Sequence, residues 1–321
     1  MNYRLWNNIS QVKGCILGIC TRFQMRKVCD MKKRLLLLSL IAVLAVFSFA
    51  VIGCGNGEEA TTEAPETTTE APAETTDVNP AVMNGIRGDG TLVVATDPSY
   101  PPFQSMQGGE VVGFDIDLVD EIASRMGATV EWTFLEWDGL LTALSTDSRD
   151  FDFAASAMTI TEERAETILF SDPYFVSVQA LAVPYDSDIE SIDDVGEGFR
   201  VGVQNGTTGH MFSTDQLEPK GVTIRPYQGG QECFLAMQSG EVDGVVIDLP
   251  VAVNQAAEGG FDMRVIPLPA ADTENFGFPM GQSRTEMAAA INEVLAEIIA
   301  DGTYAEIYAR WIDADNPPTM P

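Results

Sequence analysis

The sequence predicts an α/β protein built as two lobes with a ligand cleft between them, and three observations carry that expectation. Residues 85–321 alternate strand-like and helix-like stretches, the pattern of α/β architecture. The same region is long enough for two lobes of about 120 residues each. Each half also supplies two apolar strands that run into polar loops bearing Gly or Pro, and open parallel sheets place ligands outside such strand ends.

The leader reads as an export signal. Lys32, Lys33 and Arg34 precede the apolar run Leu35–Ile52, followed by Gly53 and Cys54. A basic stretch, a hydrophobic stretch and a small residue before the cut make a secretory signal. The ending Val51-Ile52-Gly53-Cys54 resembles a bacterial lipobox, in which the cysteine is diacylated and becomes the mature N-terminus. An uncleaved membrane anchor is the alternative, since the run is nearly long enough to span a bilayer. Residues 1–30 fit no part of this plan, whereas Met31 opens a complete signal. The expectation is therefore a mis-called extension over 1–30 and a lipoprotein signal peptide over 31–53. The body would lie outside the cytoplasm, anchored by lipid on Cys54 at the cell surface or in the periplasm.

Residues 54–84 hold the lipid-bearing cysteine and then little but Thr, Glu, Ala and Pro. So little apolar surface cannot offset the entropy of ordering, and a disordered tether is expected. Beyond it, TLVVAT (91–96) is a strand ending in the loop DPSYPP. In the next segment Ile116, Val119, Ile122, Ala123 and Met126 share one helical face closed by Gly127. A helix around DGLLTAL leads to the strand FDFAAS and the loop AMTIT. The second half repeats the theme: FRVGV ends in QNGTTG, and a helix through ECFLAMQSG leads to DGVVID, which stops at Leu249-Pro250.

Composition removes much of the usual chemistry. The 321 residues carry 48 acidic and 18 basic side chains, a net charge of −30, which repels phosphate backbones and argues against nucleic-acid partners. One histidine, His210, excludes any site needing two. No metal and no other cofactor is expected. The processed chain would keep Cys54, occupied by lipid, and Cys233, which leaves no pair for an internal disulfide.

Six blocks in order give the chain a family resemblance. GFDIDLVDEIASRM (113–126) is similar to the signature of family 3 extracellular solute-binding proteins of amino-acid ABC transporters. DPSYPPF, MTITEERAETILFSDPYF, GVQNGTTG, GEVDGVVIDLPVA and ADGTYAEIYARW complete the pattern across residues 91–311. The resemblance implies a periplasmic-binding-protein fold whose two α/β lobes are joined by hinge strands near Tyr174–Gln179 and Asn275–Phe278. Lobe 1 would comprise 85–177 and 276–321, and lobe 2 residues 178–275.

Arg164 is the most informative residue. TITEERAETI reads as a helix with Thr161 at its N-cap, and a cation in the first turn opposes the helix dipole. Either Arg164 pairs with Glu162 and Glu163 at the surface, or, as the resemblance implies, it presents its fork to a ligand carboxylate. The resemblance adds Ala157 and Thr159, through backbone and hydroxyl, for the ligand's α-amino and carboxylate groups. It also makes Asp248 the partner of the α-ammonium and Thr208 a carboxylate contact from lobe 2. Capping the helix that starts at Pro250 is the other use of Asp248. Tyr100 and Trp137 match positions that sandwich the ligand's side chain, with ordinary core packing as the alternative. Asp97 would read the ligand's polar tip, faced by Gln204. Asp115 and Asp117, at a helix start, read as a cap and a dipole partner rather than a catalytic pair.

The expected function is therefore a monomeric binding protein, not an enzyme, that delivers a polar L-amino acid to an ABC transporter permease. Cationic amino acids or glutamine are favoured by the aromatic walls and the Asp97 carboxylate. The alternative is a cyclohexadienyl dehydratase-like enzyme on the same scaffold, with Asp97 or Glu136 as general acid.

Overall fold

A computed structural model describes residues 78–268 and 273–314. The leader, Cys54 and the tether as far as Asp77 lie outside the described residues.

Residues 79–84, the end of the segment expected to be a tether, are structured. Asn79 caps a short helix, α1 (Pro80–Met83), by accepting the Ala81 N–H at 2.8 Å, with Pro at the first helical position. Val82 is fully buried and Val78 packs against the same core. Polar composition averaged over residues 54–84 conceals this short apolar end.

The first body opens with β1 (Thr91–Thr96), β2 (Ser99–Tyr100), β3 (Gln104–Gln107) and β4 (Glu110–Val112). It continues through α2 (Phe114–Arg125), β5 (Thr129–Phe134), α3 (Trp137–Ser145), β6 (Phe153–Ala154), α4 (Glu162–Ala165) and β7 (Ile168–Phe170). β1 is central in a parallel sheet of order β5-β1-β6, and its run from Leu92 to Thr96 is buried, as a strand covered on both faces requires. The helical face expected of α2 packs inward: Ile116, Val119, Ile122, Ala123 and Met126 are all buried. Only glycine fits at Gly113, where φ is 150° and a Cβ would stand 2.0 Å from the Phe103 carbonyl oxygen.

β8 (Phe175–Ser177) leads into the second body. There β9 (Gln179–Pro184), β10 (Arg200–Gln204), α5 (Thr208–Phe212), β11 (Thr223–Tyr227), α6 (Gly230–Gln238), β12 (Gly244–Asp248), α7 (Leu249–Ala257) and β13 (Met263–Pro267) follow in turn. The sheet order is β11-β10-β12-β9-β13. β10, β11 and β12 are parallel, while β9 runs antiparallel to both of its neighbours. The second body thus repeats the parallel core of the first and extends it with the strand that enters it.

The chain returns along β14 (Glu274–Phe276), which pairs antiparallel with β8, Ser177 opposite Glu274 and Phe175 opposite Phe276. β15 (Pro279–Gly281) then pairs with β7, and α8 (Thr285–Ala300) and α9 (Thr303–Trp311) complete the first body. Asp117, in the first turn of α2 where a carboxylate suits the helix dipole, also fixes α9 by accepting from Arg310 at 2.5 Å and Trp311 Nε1 at 2.7 Å, so it ties two helices together. An aromatic cluster backs the crossover strands: Tyr174 stacks on Phe278 at 4.3 Å, and Phe175 on Phe276 at 5.5 Å. Such contacts contribute about 0.5–1.5 kcal/mol each beyond burial.

Candidate functional site

The C-terminal ends of β1 and β6 build one wall. Asp97 follows β1; its N–H donates to Ser156 Oγ at 3.1 Å, and its carboxylate accepts from Ser99 Oγ at 2.6 Å and the Trp137 N–H at 3.1 Å. Burial raises its pKa, and the charge of Glu136 adds to the effect. After β6 the chain turns through Ala157, whose φ of 48° is left-handed. That turn is held by Asp115 Oδ2, which accepts the Ala157 N–H at 2.9 Å, while Oδ1 accepts from Tyr174 at 2.9 Å. Asp115 therefore does not cap α2, whose N-cap is Gly113; it points into the core, where burial pushes its pKa up to about 7. The backbone donor of Ala157 is spent on Asp115, leaving its carbonyl for other partners.

Arg164 sits where the sequence places it, in the first turn of α4, with Thr161 Oγ1 accepting its N–H at 3.1 Å. Its side chain turns inward and is 7% exposed, so the surface ion-pair reading fails. Nη1 donates to the Thr159 carbonyl at 2.8 Å and Nη2 to the Gly206 carbonyl, across the cleft, at 3.1 Å. The guanidinium carbon lies 5.4 Å from the Trp137 ring centre. Among the described residues no carboxylate forms an ion pair with it.

The second body supplies the opposite wall. Gln204 ends β10, and Thr207 caps α5 by accepting the His210 N–H, which presents Thr208 at the helix start. Asp248 ends β12 and occupies the N-cap position of α7, which begins at Leu249, but makes no capping bond. Its carboxylate is 6% exposed and accepts from Tyr100 at 2.5 Å, and from Ser177 and Gln179 at 3.2 Å each. Burial, and then the charge of Glu274, drive its pKa well up.

All nine residues expected of the site line one pocket, which offers about 360 Å³ of space, part of it open to solvent. Gln104, Ser156 and Thr207 line it too, although the sequence reading passed over them. Ser156 and Thr207 adjoin expected residues, which is the only signal that points to them. Trp137 serves both readings made of it: it belongs to a core cluster and lines the pocket, with Arg164 over its ring. Tyr100 reaches across to Asp248 through its hydroxyl and stacks on Phe103. Glu136 is exposed and outside the lining.

The family described as bacterial extracellular solute-binding proteins, family 3, matches residues 92–314. The histidine-binding periplasmic protein of Escherichia coli strain K12 is 34% identical over 235 residues, covering 69% of this chain and 87% of that protein. An arginine-, lysine-, histidine-binding protein from Geobacillus stearothermophilus is similar in structure, with a TM-score of 0.65 and 31% identity over 71% of this chain and 97% of that one. An ancestral amino acid-binding protein, a precursor of cyclohexadienyl dehydratase, has a TM-score of 0.66 and 34% identity over 72% of this chain and 99% of that one.

Proposed function

The chain belongs to the bacterial extracellular solute-binding proteins of family 3, and from that premise we propose that it captures a polar L-amino acid, cationic or glutamine, and delivers it to an ABC transporter permease. One observation carries the reading. A buried guanidinium, Arg164 on α4, and a buried carboxylate, Asp248 at the end of β12, line the same pocket. A zwitterion is the ligand complementary to such a pair, its carboxylate on the fork and its ammonium on the acid. Closing two bodies on one small ligand lets binding energy drive a hinge motion, here at β8 and β14. The ligands named for the relatives, histidine for one and arginine, lysine and histidine for another, support a nitrogen-rich side chain. We also propose the remaining features read from the sequence: lobes meeting near residues 177 and 275, an extracytoplasmic location, a monomer, and a lipid anchor on Cys54.

The test is a thermal-shift screen of the twenty L-amino acids, with prephenate and arogenate included. A ligand at 100 times its Kd adds about 2.7 kcal/mol of stability, enough to raise the Tm by degrees. A rise with a polar amino acid is expected. Conversion of prephenate or arogenate to an aromatic product would replace the carrier reading with the enzymatic one.

A further inference from the structure

Glu274 is absent from every motif in the sequence, yet it sits behind the pocket and binds groups from both bodies. Its Oε2 accepts from Thr159 Oγ1 at 2.9 Å and from Thr208 Oγ1 at 2.9 Å, and its Oε1 accepts from Gln179 Nε2 at 3.0 Å. Thr159 and Thr208 line the pocket from opposite walls, whereas Glu274 does not line it.

The chemistry of the partners fixes their direction. A carboxylate only accepts, and a hydroxyl owns a single hydrogen. Both threonines therefore give that hydrogen to Glu274 and turn lone pairs toward the pocket. Thr208 accepts as well, from Gln179 Nε2 at 3.3 Å. Hydroxyls held this way can receive an N–H from a ligand and cannot donate to its carboxylate. That departs from the role the family resemblance implied for the Thr208 side chain, and it leaves Arg164 as the pocket's charged donor.

Charge acts in the same direction. Glu274 is the leading charge acting on both Arg164 and Asp248. Glu274 and Asp248 are thus two carboxylates whose charges bear on one guanidinium.

Resting on the amino-acid reading above, we propose that Glu274 is a positioning residue that sets ligand specificity: it makes the Thr159 and Thr208 hydroxyls acceptors and selects against ligands with a carboxylate side chain. Like charges brought together in a buried site oppose binding, whereas a cationic side chain offsets part of the excess.

The experiment is calorimetric titration of the wild type, Glu274→Gln and Glu274→Asp with L-arginine, L-glutamine and L-glutamate. Glu274→Gln should narrow the preference for arginine over glutamate by about tenfold, and Glu274→Asp, which keeps the charge, should hold the ratio within about threefold of wild type. Glu274→Ala carries the same expectation as Glu274→Gln and replaces it if the amide variant does not fold. A uniform loss of affinity for all three ligands would mean a purely structural residue and overturn the inference. So would an unchanged ratio in folded variants that bind. Wild-type protein that binds none of the three overturns the amino-acid reading itself, and this inference with it.

Discussion

Replacing Arg164 with alanine isolates the anchoring interaction. The guanidinium is 7% exposed, spends two donors on the Thr159 and Gly206 carbonyls, and has no ion-pair partner among the described residues. Its remaining N–H groups are therefore available to a ligand carboxylate at a buried position in the pocket. Truncating one member of a buried, hydrogen-bonded charge pair costs roughly 3–5 kcal/mol, much of it from stranding the other charge. The expected loss of amino-acid affinity exceeds about 100-fold. Arg164→Lys keeps the charge but not the planar fork, and its loss should be intermediate, about tenfold. Calorimetry at fixed pH reads both, with thermal melts of the free variants confirming that they fold. Less than tenfold weakening in Arg164→Ala would refute the assignment, because the arginine would then serve only to bridge the two carbonyls.

Stability of the free protein should fall as pH rises between about 4 and 7. Asp115 holds its proton up to about 7 in the folded state against an ordinary 3.8, so over that window the native state binds more protons than the unfolded chain. Each such site costs ~1.4 kcal/mol of stability per pH unit across the window. Asp248, also raised, contributes in the same direction. Denaturant titrations should show the slope, and Asp115→Asn should reduce it; a flat profile would contradict the burial assigned to these carboxylates. Binding should release a proton near neutral pH as a ligand ammonium restores the charge of Asp248, which appears as a dependence of the calorimetric heat on buffer ionisation enthalpy. Mass spectrometry of the membrane fraction should find a mature chain starting at lipidated Cys54, and Cys54→Ala should be mislocalised. Recovery of a peptide from residues 1–30 would sink both that boundary and the start at Met31.

Much of the site could be read from the sequence because the strands that carry it have one local signature. Thr91–Thr96 and Arg200–Gln204 are apolar runs ending in polar loops, and Asp97 and Gln204 stand where those runs stop. Asp115 and Asp248 were harder, since an aspartate at a helix start reads as a cap. Which way such a carboxylate turns depends on partners far along the chain: Tyr174 is 59 residues from Asp115, and Ser177 is 71 residues from Asp248. Glu274 left no sequence trace for the same reason, as its two threonine partners lie 115 and 66 residues away and meet only through the crossover of the two bodies. Local pattern thus fixes what an element is, while long-range pairing decides which of its polar groups face the pocket.

Parallel calorimetric titration of the wild-type protein with arginine, lysine, histidine, glutamine, glutamate and leucine decides whether this pocket reads a donor-tipped amino acid. Tyr100, Trp137, Asp97 and Asp248 form a lining of aromatic faces and carboxylates. Aromatic faces attract cations by roughly 0.5–2 kcal/mol, and a donor-tipped side chain can add a hydrogen bond to the charged Asp97 carboxylate, worth about 1.5–3 kcal/mol, that an aliphatic one cannot. A cationic amino acid or glutamine should bind at least about tenfold tighter than glutamate or leucine. If glutamate or leucine is the tightest ligand, the donor-reading role given to Asp97 is wrong.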